Sequence, residues 1–372
     1  MDIANFGVEE WLNEWEKKAI YDLAQSTVSS MTLEEAINID GTDPDFFFRN
    51  LYQTKMNYGY IEGSPEFKKE VAKLYRNVDS DNILQTNGAT GANFLAIFSL
   101  INPGDHVVSM FPTYQQLYDI PRSFGAEVDF IYLKEESGWK FPIDELENII
   151  RSNTKMITLN SANNPTGTLI KEEDLRQIVN IAERVGAYVL VDEVYAPFSS
   201  LDSTSVVDIY DKGISTNSLS KTFSIPGIRI GWTATSKEIA NVFRKYRDYT
   251  MICSGIIDDA LAVHVLKNKD KVFKRNYKLL ADNLKQLKEW VESEELVSLV
   301  YPEYVSTSFV KIDIPISIRE FCIDLLQKEG VLLVPGTAYE IEGHVRLGYC
   351  CSPEILVEGL KRISRYLNHY RK

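Results

Sequence analysis

Lys221 lies in Ser218-Leu219-Ser220-Lys221-Thr222-Phe223, between a run that reads as a buried strand and the turn Pro226-Gly227-Ile228-Arg229. A primary amine in such a loop can serve as nucleophile or base when its surroundings hold it uncharged. Most lysines are solvated surface groups, so the amine alone decides nothing. Upstream, Val189-Leu190-Val191-Asp192-Glu193-Val194-Tyr195 places a carboxylate and a phenol just past another apolar strand, and parallel strands present ligands at their carboxyl ends. The same pair also reads as a helix cap and a core tyrosine. A third segment, Asn163-Asn164-Pro165-Thr166-Gly167, again follows a strand, and its Pro and Gly fix a turn that leaves the Asn164 amide facing a cleft. A fourth, Thr86-Asn87-Gly88-Ala89-Thr90-Gly91, stands where a helix from about Ala92 to Leu100 begins, so free backbone donors and the helix dipole suit a phosphate.

The elements that must position these groups are readable in outline. Short β-branched runs at His106 to Met110, Val128 to Leu133, Met156 to Leu159, Tyr188 to Val191 and Ile214 to Asn217 alternate with helical stretches, which predicts a mainly parallel sheet. Leu175, Ile178, Val179 and Ala182 form one apolar helix face after the acidic start Glu172-Glu173-Asp174, and Gly186 ends that helix. Helices follow around Ile239 to Tyr246 and Phe273 to Val291. The tail reads strand (Phe309 to Ile312), helix (Ile318 to Lys328), strand (Val331 to Val334), strand (His344 to Leu347) and final helix (Pro353 to His369), a second and smaller α/β lobe. At the other end, Val8, Trp11, Leu12, Trp15, Ala19 and Leu23 recur at helical spacing and predict an amphipathic opening helix whose tryptophans dock on a core or a neighbouring subunit.

A chain of 372 residues exceeds the size at which one core stops growing, so two lobes sharing a cleft are expected. The formal charge of -13, with no Lys/Arg stripe, argues against a nucleic-acid partner. Cys253, Cys322, Cys350 and Cys351 lack paired ligand spacing and read as reduced thiols of a cytoplasmic protein. The histidines at 106, 264, 344 and 369 form no short-range cluster of metal-ligand type, so no metal is expected. The acidic amino terminus lacks a secretion signal, and no apolar run approaches the ~20 residues that span a bilayer, so no membrane partner is expected.

The four segments, in this order and spacing, resemble the class I and II aminotransferases of fold type I, which use pyridoxal 5'-phosphate; the resemblance runs from about Tyr58 to Arg346. It is carried by Asn164-Pro165-Thr166-Gly167, Asp192 to Tyr195, Ser218 to Lys221 with Arg229 after it, and Arg346 in Val345-Arg346-Leu347-Gly348. It implies a large lobe with a mainly parallel seven-stranded sheet between helices and a smaller α/β lobe: an amino-terminal arm (1–40), a large cofactor-binding domain (41–275) and a carboxyl-terminal domain (276–372). It implies that Lys221 forms the Schiff base with the cofactor aldehyde, that Asp192 pairs with the pyridine nitrogen, and that Tyr195 and Asn164 bond the ring's phenolic oxygen. Tyr114 would stack on the ring. Gly88, Ala89, Thr90, Ser218 and Arg229 would surround the phosphate, Tyr58 would reach it from the partner of a homodimer, and Arg346, with Asn164 beside it, would clamp the substrate carboxylate.

Around Gln25 to Met31 the chain lacks the glycine-containing loop that commonly closes over the substrate, and its amino-terminal region resembles capreomycidine synthase and related members. The resemblance thus implies transamination between an amino acid and a 2-oxo acid, with a lyase or cyclase on the same framework as the alternative. A non-catalytic cofactor-sensing module is the third reading; no basic helical domain precedes the chain to support it.

Overall fold

The first folded element is shorter than its periodicity predicts. The stripe of Val8, Trp11 and Trp15 does form a helix, Gly7–Trp15, but the chain leaves it through one 3-10 turn, Glu16–Lys18, and enters a two-residue strand, β1 (Tyr21–Asp22). Ala19 and Leu23 keep helical spacing, yet β1 pairs in parallel with Val331 and Leu332, and that distant ladder overrides the local pattern. Leu23 is fully buried as part of an extended segment instead. Trp11 docks as expected, 2% exposed and donating from Nε1 to the Leu333 carbonyl at 2.8 Å. Trp15 packs beside it at a centroid distance of 5.7 Å. The computed structural model describes residues 2–195, 204–303 and 305–371.

The main sheet follows, with strands β2 (Ile83–Asn87), β3 (His106–Phe111), β4 (Glu127–Tyr132), β5 (Thr154–Asn160), β6 (Tyr188–Asp192), β7 (Gly213–Ser218) and β8 (Ile230–Thr235). Their order across the sheet is β2-β8-β7-β6-β5-β3-β4, and only β8 runs antiparallel to its neighbours. The fold is therefore the expected α/β architecture with a mainly parallel seven-stranded sheet. Parallel neighbours need crossover connections, and covering both faces with helices leaves strands such as β3 and β7 buried along their whole length. β2 and β8 escape the sequence pattern because Gln85, Thr86 and Asn87, and Gly231, Thr233 and Thr235, break the apolar run.

Strand order turns back on itself between β3 and β5, which lie side by side while β4 sits on the outer flank of β3. A crevice opens outside the carboxyl ends at such a switch point. The segments after β2, β3, β5, β6 and β7 carry Gly88 to Thr90, Tyr114, Asn164, Asp192 to Tyr195 and Ser218 to Lys221 respectively. The Gly88–Leu100 helix begins four residues earlier than its expected start at Ala92, which brings Ala89 and Thr90 into its first turn.

The remainder contributes β11 (Val331–Leu332), which pairs with β1, and a second, four-stranded antiparallel sheet of β9 (Val297–Leu299), β10 (Thr307–Ile312), β12 (Val334–Pro335) and β13 (His344–Gly348) in the order β12-β13-β10-β9. The single strand expected at Val331 to Val334 is split at Leu333: β11 joins β1, and β12 joins β13. The last helix ends at Leu367 rather than His369. An Ile256–Lys267 helix, not read from the sequence, precedes the long Lys269–Ser293 helix. One apolar cluster runs from Val8 and Trp11 through Val108 and Leu159 of the main sheet to Phe309, Leu325 and Leu360, so arm and second sheet share a core with the first. No helix among the described residues is long and apolar enough to cross a membrane.

Trp11→Ala should cost about 3–5 kcal/mol by removing a buried indole. Trp15→Ala, at a half-buried site, should cost about 1 kcal/mol. Urea midpoints of the two variants report the difference.

Candidate active site

A cavity of about 510 Å³ opens at the carboxyl ends of the main strands. Its walls include Ala89, Thr90, Tyr114, Asn164, Asp192, Tyr195, Ser218, Lys221, Arg229 and Arg346. The fold therefore gathers these ten sequence-predicted residues in one place. Gly88 stands just behind, at φ +67°, where an added Cβ would come within 2.7 Å of Arg229 Nη2; only glycine lets the guanidinium approach this closely. Tyr58 is not part of this wall and is 82% exposed.

At one end the first turn of the Gly88–Leu100 helix presents amides that have no partner within the helix. Ser218, Ser220 and Arg229 line the same end of the cavity, and Arg229 Nη1 donates to Ser220 Oγ at 3.4 Å and to the Pro226 carbonyl at 3.0 Å. Helix-start amides, hydroxyls and a guanidinium converge there as an anion site.

At the base, Asp192 ends β6 at 3% exposure. Asn93 Nδ2 donates to its Oδ2 at 2.8 Å, and the Val194 amide to its Oδ1 at 3.2 Å. Thr216 in turn donates to Asn93 Oδ1 at 2.6 Å, fixing the amide's orientation. Burial still pushes the Asp192 carboxyl above the usual carboxylate range, against the two hydrogen bonds and Lys221 nearby. A cationic donor facing that carboxylate would offset the desolvation. Its neighbour Glu193 points to the opposite face, as strand alternation requires, and accepts from Ser205 and Ser215 there; burial pushes it up to about 7.

Lys221 Nζ donates to Ser26 Oγ at 2.8 Å. Burial lowers the amine to about 8, helped by the charge of Arg346. Tyr195 is buried at 3%, and the same desolvation pushes its phenol up to about 12. Tyr114 forms part of the wall with Phe6 tilted against it at 5.1 Å.

Across the cavity, Arg346 sits on β13 of the second sheet, 3% exposed. Its Nη2 donates to the Ala24 carbonyl at 2.6 Å, and its Nη1 to Tyr339 Oη at 2.7 Å and Asn164 Oδ1 at 3.2 Å. Tyr339 completes the triangle by donating to Asn164 Oδ1 at 2.8 Å. The Asn164 amide nitrogen of the backbone is held by Asn160 Oδ1 at 2.7 Å. Arg346 Nε is left buried with no partner, a donor awaiting an acceptor.

Sequence reasoning missed Ser26, Asn93, Asn160 and Tyr339. Asn93 and Asn160 lie inside a helix and at a strand end, where polar side chains amid apolar neighbours were the available signal. Ser26 stands far from the motifs in sequence, and Tyr339, seven residues before Arg346, carries no local signal of its contact with Asn164. Among the described residues no group of His, Cys, Asp and Glu side chains is placed to hold a metal ion, and the four cysteines are free.

A doubly wound sheet with a helix-start anion site, a buried acid and a buried amine in one cavity defines a cofactor-dependent α/β enzyme. The chain belongs to the family of aminotransferase class I and II, whose model matches residues 20–363. It is 28% identical over 360 residues to an aspartate aminotransferase of Thermotoga maritima, covering 90% of this chain and 92% of that protein. It is 25% identical over 370 residues to capreomycidine synthase of Streptomyces vinaceus, covering 98% and 94%. Its fold matches the crystal structure of a PLP-dependent aminotransferase from Streptococcus suis 89-1591 with a TM-score of 0.98 and 53% identity, over the whole of both chains. The cofactor is pyridoxal 5'-phosphate. The donor set fits it: a helix-start anion site where a Cβ at Gly88 would crowd Arg229, a buried carboxylate short of a cation, and a lysine amine lowered to about 8, all on one cavity.

In the cofactor-free protein, Lys221 should react with an amine-directed reagent with a midpoint near pH 8 rather than 10.5, read by peptide mass spectrometry against pH. Between those values the unfolded chain binds a proton that the folded chain does not, so stability rises with pH across the window. Lys221→Met should abolish that rise.

Proposed function

We propose that the protein transfers an amino group between an amino acid and a 2-oxo acid. Bound pyridoxal phosphate supplies an electron sink for the pair left when a bond to the substrate Cα breaks. Lys221 is the residue that carries it and, once its amine is released, the base that takes the Cα proton; an amine lowered to about 8 is partly uncharged near neutral pH and suited to both tasks. Asp192 holds a proton at the pyridine nitrogen, and Asn93 keeps its carboxylate aimed there. Tyr195 and Asn164 would hydrogen-bond the ring's phenolic oxygen, and Tyr114, on the same cavity wall, would pack against the ring. Gly88, Ala89, Thr90, Ser218 and Arg229 hold the phosphate. Arg346, lining the same cavity, would hold the substrate carboxylate in a planar two-pronged pair and so orient the substrate toward Lys221.

The observation that carries this reading is Arg346 and Lys221 facing one cavity from different sheets, the arginine with a buried unpaired Nε and the lysine amine held low. The division into an arm at 1–40, a cofactor-binding domain at 41–275 and a carboxyl-terminal domain at 276–372 accords with the two sheets. A homodimer accords with Tyr58, whose 82% exposure suits a side chain reaching the phosphate site of a partner.

A lyase or cyclase is the second reading. It is favoured by the resemblance to capreomycidine synthase over nearly the whole chain and by the absence of a glycine loop in residues 25–31. Mass spectrometry of products from candidate amino acids, with and without a 2-oxo acid, separates the two: a new amino acid and a new 2-oxo acid for transfer, ammonia or a ring-closed product for the alternative. Lys221→Ala should lower turnover by about 10²–10⁴-fold. Arg346→Lys should lower kcat/KM by roughly 10–100-fold through loss of a bidentate ion pair, chiefly in KM.

A further inference from the structure

The segment from Leu23 to Met31, where the family's glycine loop is missing, is pinned from both lobes. The Gly348 amide donates to the Leu23 carbonyl at 2.8 Å, Arg346 Nη2 to Ala24, and Ser306 Oγ to the Ser26 carbonyl at 2.7 Å. The Val28 amide donates to the Lys221 carbonyl at 3.3 Å, the Ser29 amide to Cys350 at 2.8 Å, and the Met31 amide to Ser224 at 2.9 Å. Gly348 has no room for a side chain: a Cβ there would meet the Gln25 carbonyl at 1.6 Å. The segment is thus a fixed strap between the catalytic loop and β13.

With its backbone held, the strap turns the Ser26 side chain into the cavity at 6% exposure. Its Oγ accepts from Lys221 Nζ at 2.8 Å, and the hydroxyl lies near enough to the Tyr195 phenol to favour that group's ionised form. A hydroxyl has one proton to give and two lone pairs, so it can accept from the amine and donate to the phenol oxygen together. We propose that Ser26 is a positioning residue for Lys221, bridging the lysine amine and the Tyr195 phenol and holding the amine on the substrate side of the cavity whenever it is not bonded to the cofactor. This rests on reading Lys221 as the reacting amine. The strap takes over a task of alignment in a site that lacks the usual loop, and it links that task to Arg346, which it also holds through Ala24.

The decisive measurement uses the cofactor-free protein, with Lys221 labelling by an amine-directed reagent followed against pH. An acceptor on the amine favours its charged form, so Ser26→Ala should move the labelling midpoint down by about half a unit to one unit. Ser26→Thr, which keeps the hydroxyl, should restore it. Ser26→Cys, close in volume and a weak hydrogen-bonder, should shift it like alanine and serves if the alanine variant does not fold. In the loaded enzyme, Ser26→Ala should lower kcat about 10-fold with KM nearly unchanged and displace the acid limb of the pH profile in the same direction. A labelling midpoint that stays at the wild-type value, or a threonine variant that behaves like alanine, overturns the proposal. A shifted midpoint in a protein that yields no transfer product would overturn transamination and leave the Ser26 assignment standing.

Discussion

The carboxylate of Asp192 is held out of water at the end of a strand covered on both faces, and the cavity is organised around that desolvation. Asn93 and the Val194 amide satisfy its oxygens without neutralising it, and Thr216 keeps Asn93 from turning its amide the other way. A carboxyl so placed is only partly compensated and favours a cation above it. The same burial that raises Asp192 lowers Lys221, because desolvation penalises either charge. One physical condition, a dry strand end, therefore sets both groups for the roles proposed for them, the carboxylate facing a cationic ring nitrogen and the amine that reacts.

Arg346 brings the second sheet into the same site. Its guanidinium is tied to Asn164 after β5, to Tyr339 in the turn before β13, and to the Ala24 carbonyl of the amino-terminal strap. Three stretches distant in sequence thus meet on one side chain. A planar fork with fixed donors holds such a junction in a way an ammonium cannot. The shared apolar core from Trp11 to Leu360 supplies the stiffness behind it, since arm, main sheet and second sheet pack as one cluster rather than as loosely docked units.

Much of this is legible in the sequence. Five of the seven main strands and the parallel architecture followed from apolar runs alternating with amphipathic helices, because burial on both faces leaves that mark on the chain. The motif residues at 88–90, 164, 192–195 and 218–221 stood out because turn chemistry and strand ends place particular side chains at predictable points, those at 229 and 346 by the family resemblance, and eleven of these positions line one cavity. β2 and β8 were not legible, as polar and small residues interrupt their apolar runs.

The sequence by itself determined the sheet, the residue types at the strand ends and hence the kind of chemistry on offer, since local periodicity and turn preference act over a few neighbours. Only the tertiary structure decided where the opening helix stops, that Val331 to Val334 divides between two sheets, and that Ser26 and Tyr339 join the site. Each of these rests on hydrogen bonds between residues far apart in the chain, and such pairings leave no periodic trace in either partner.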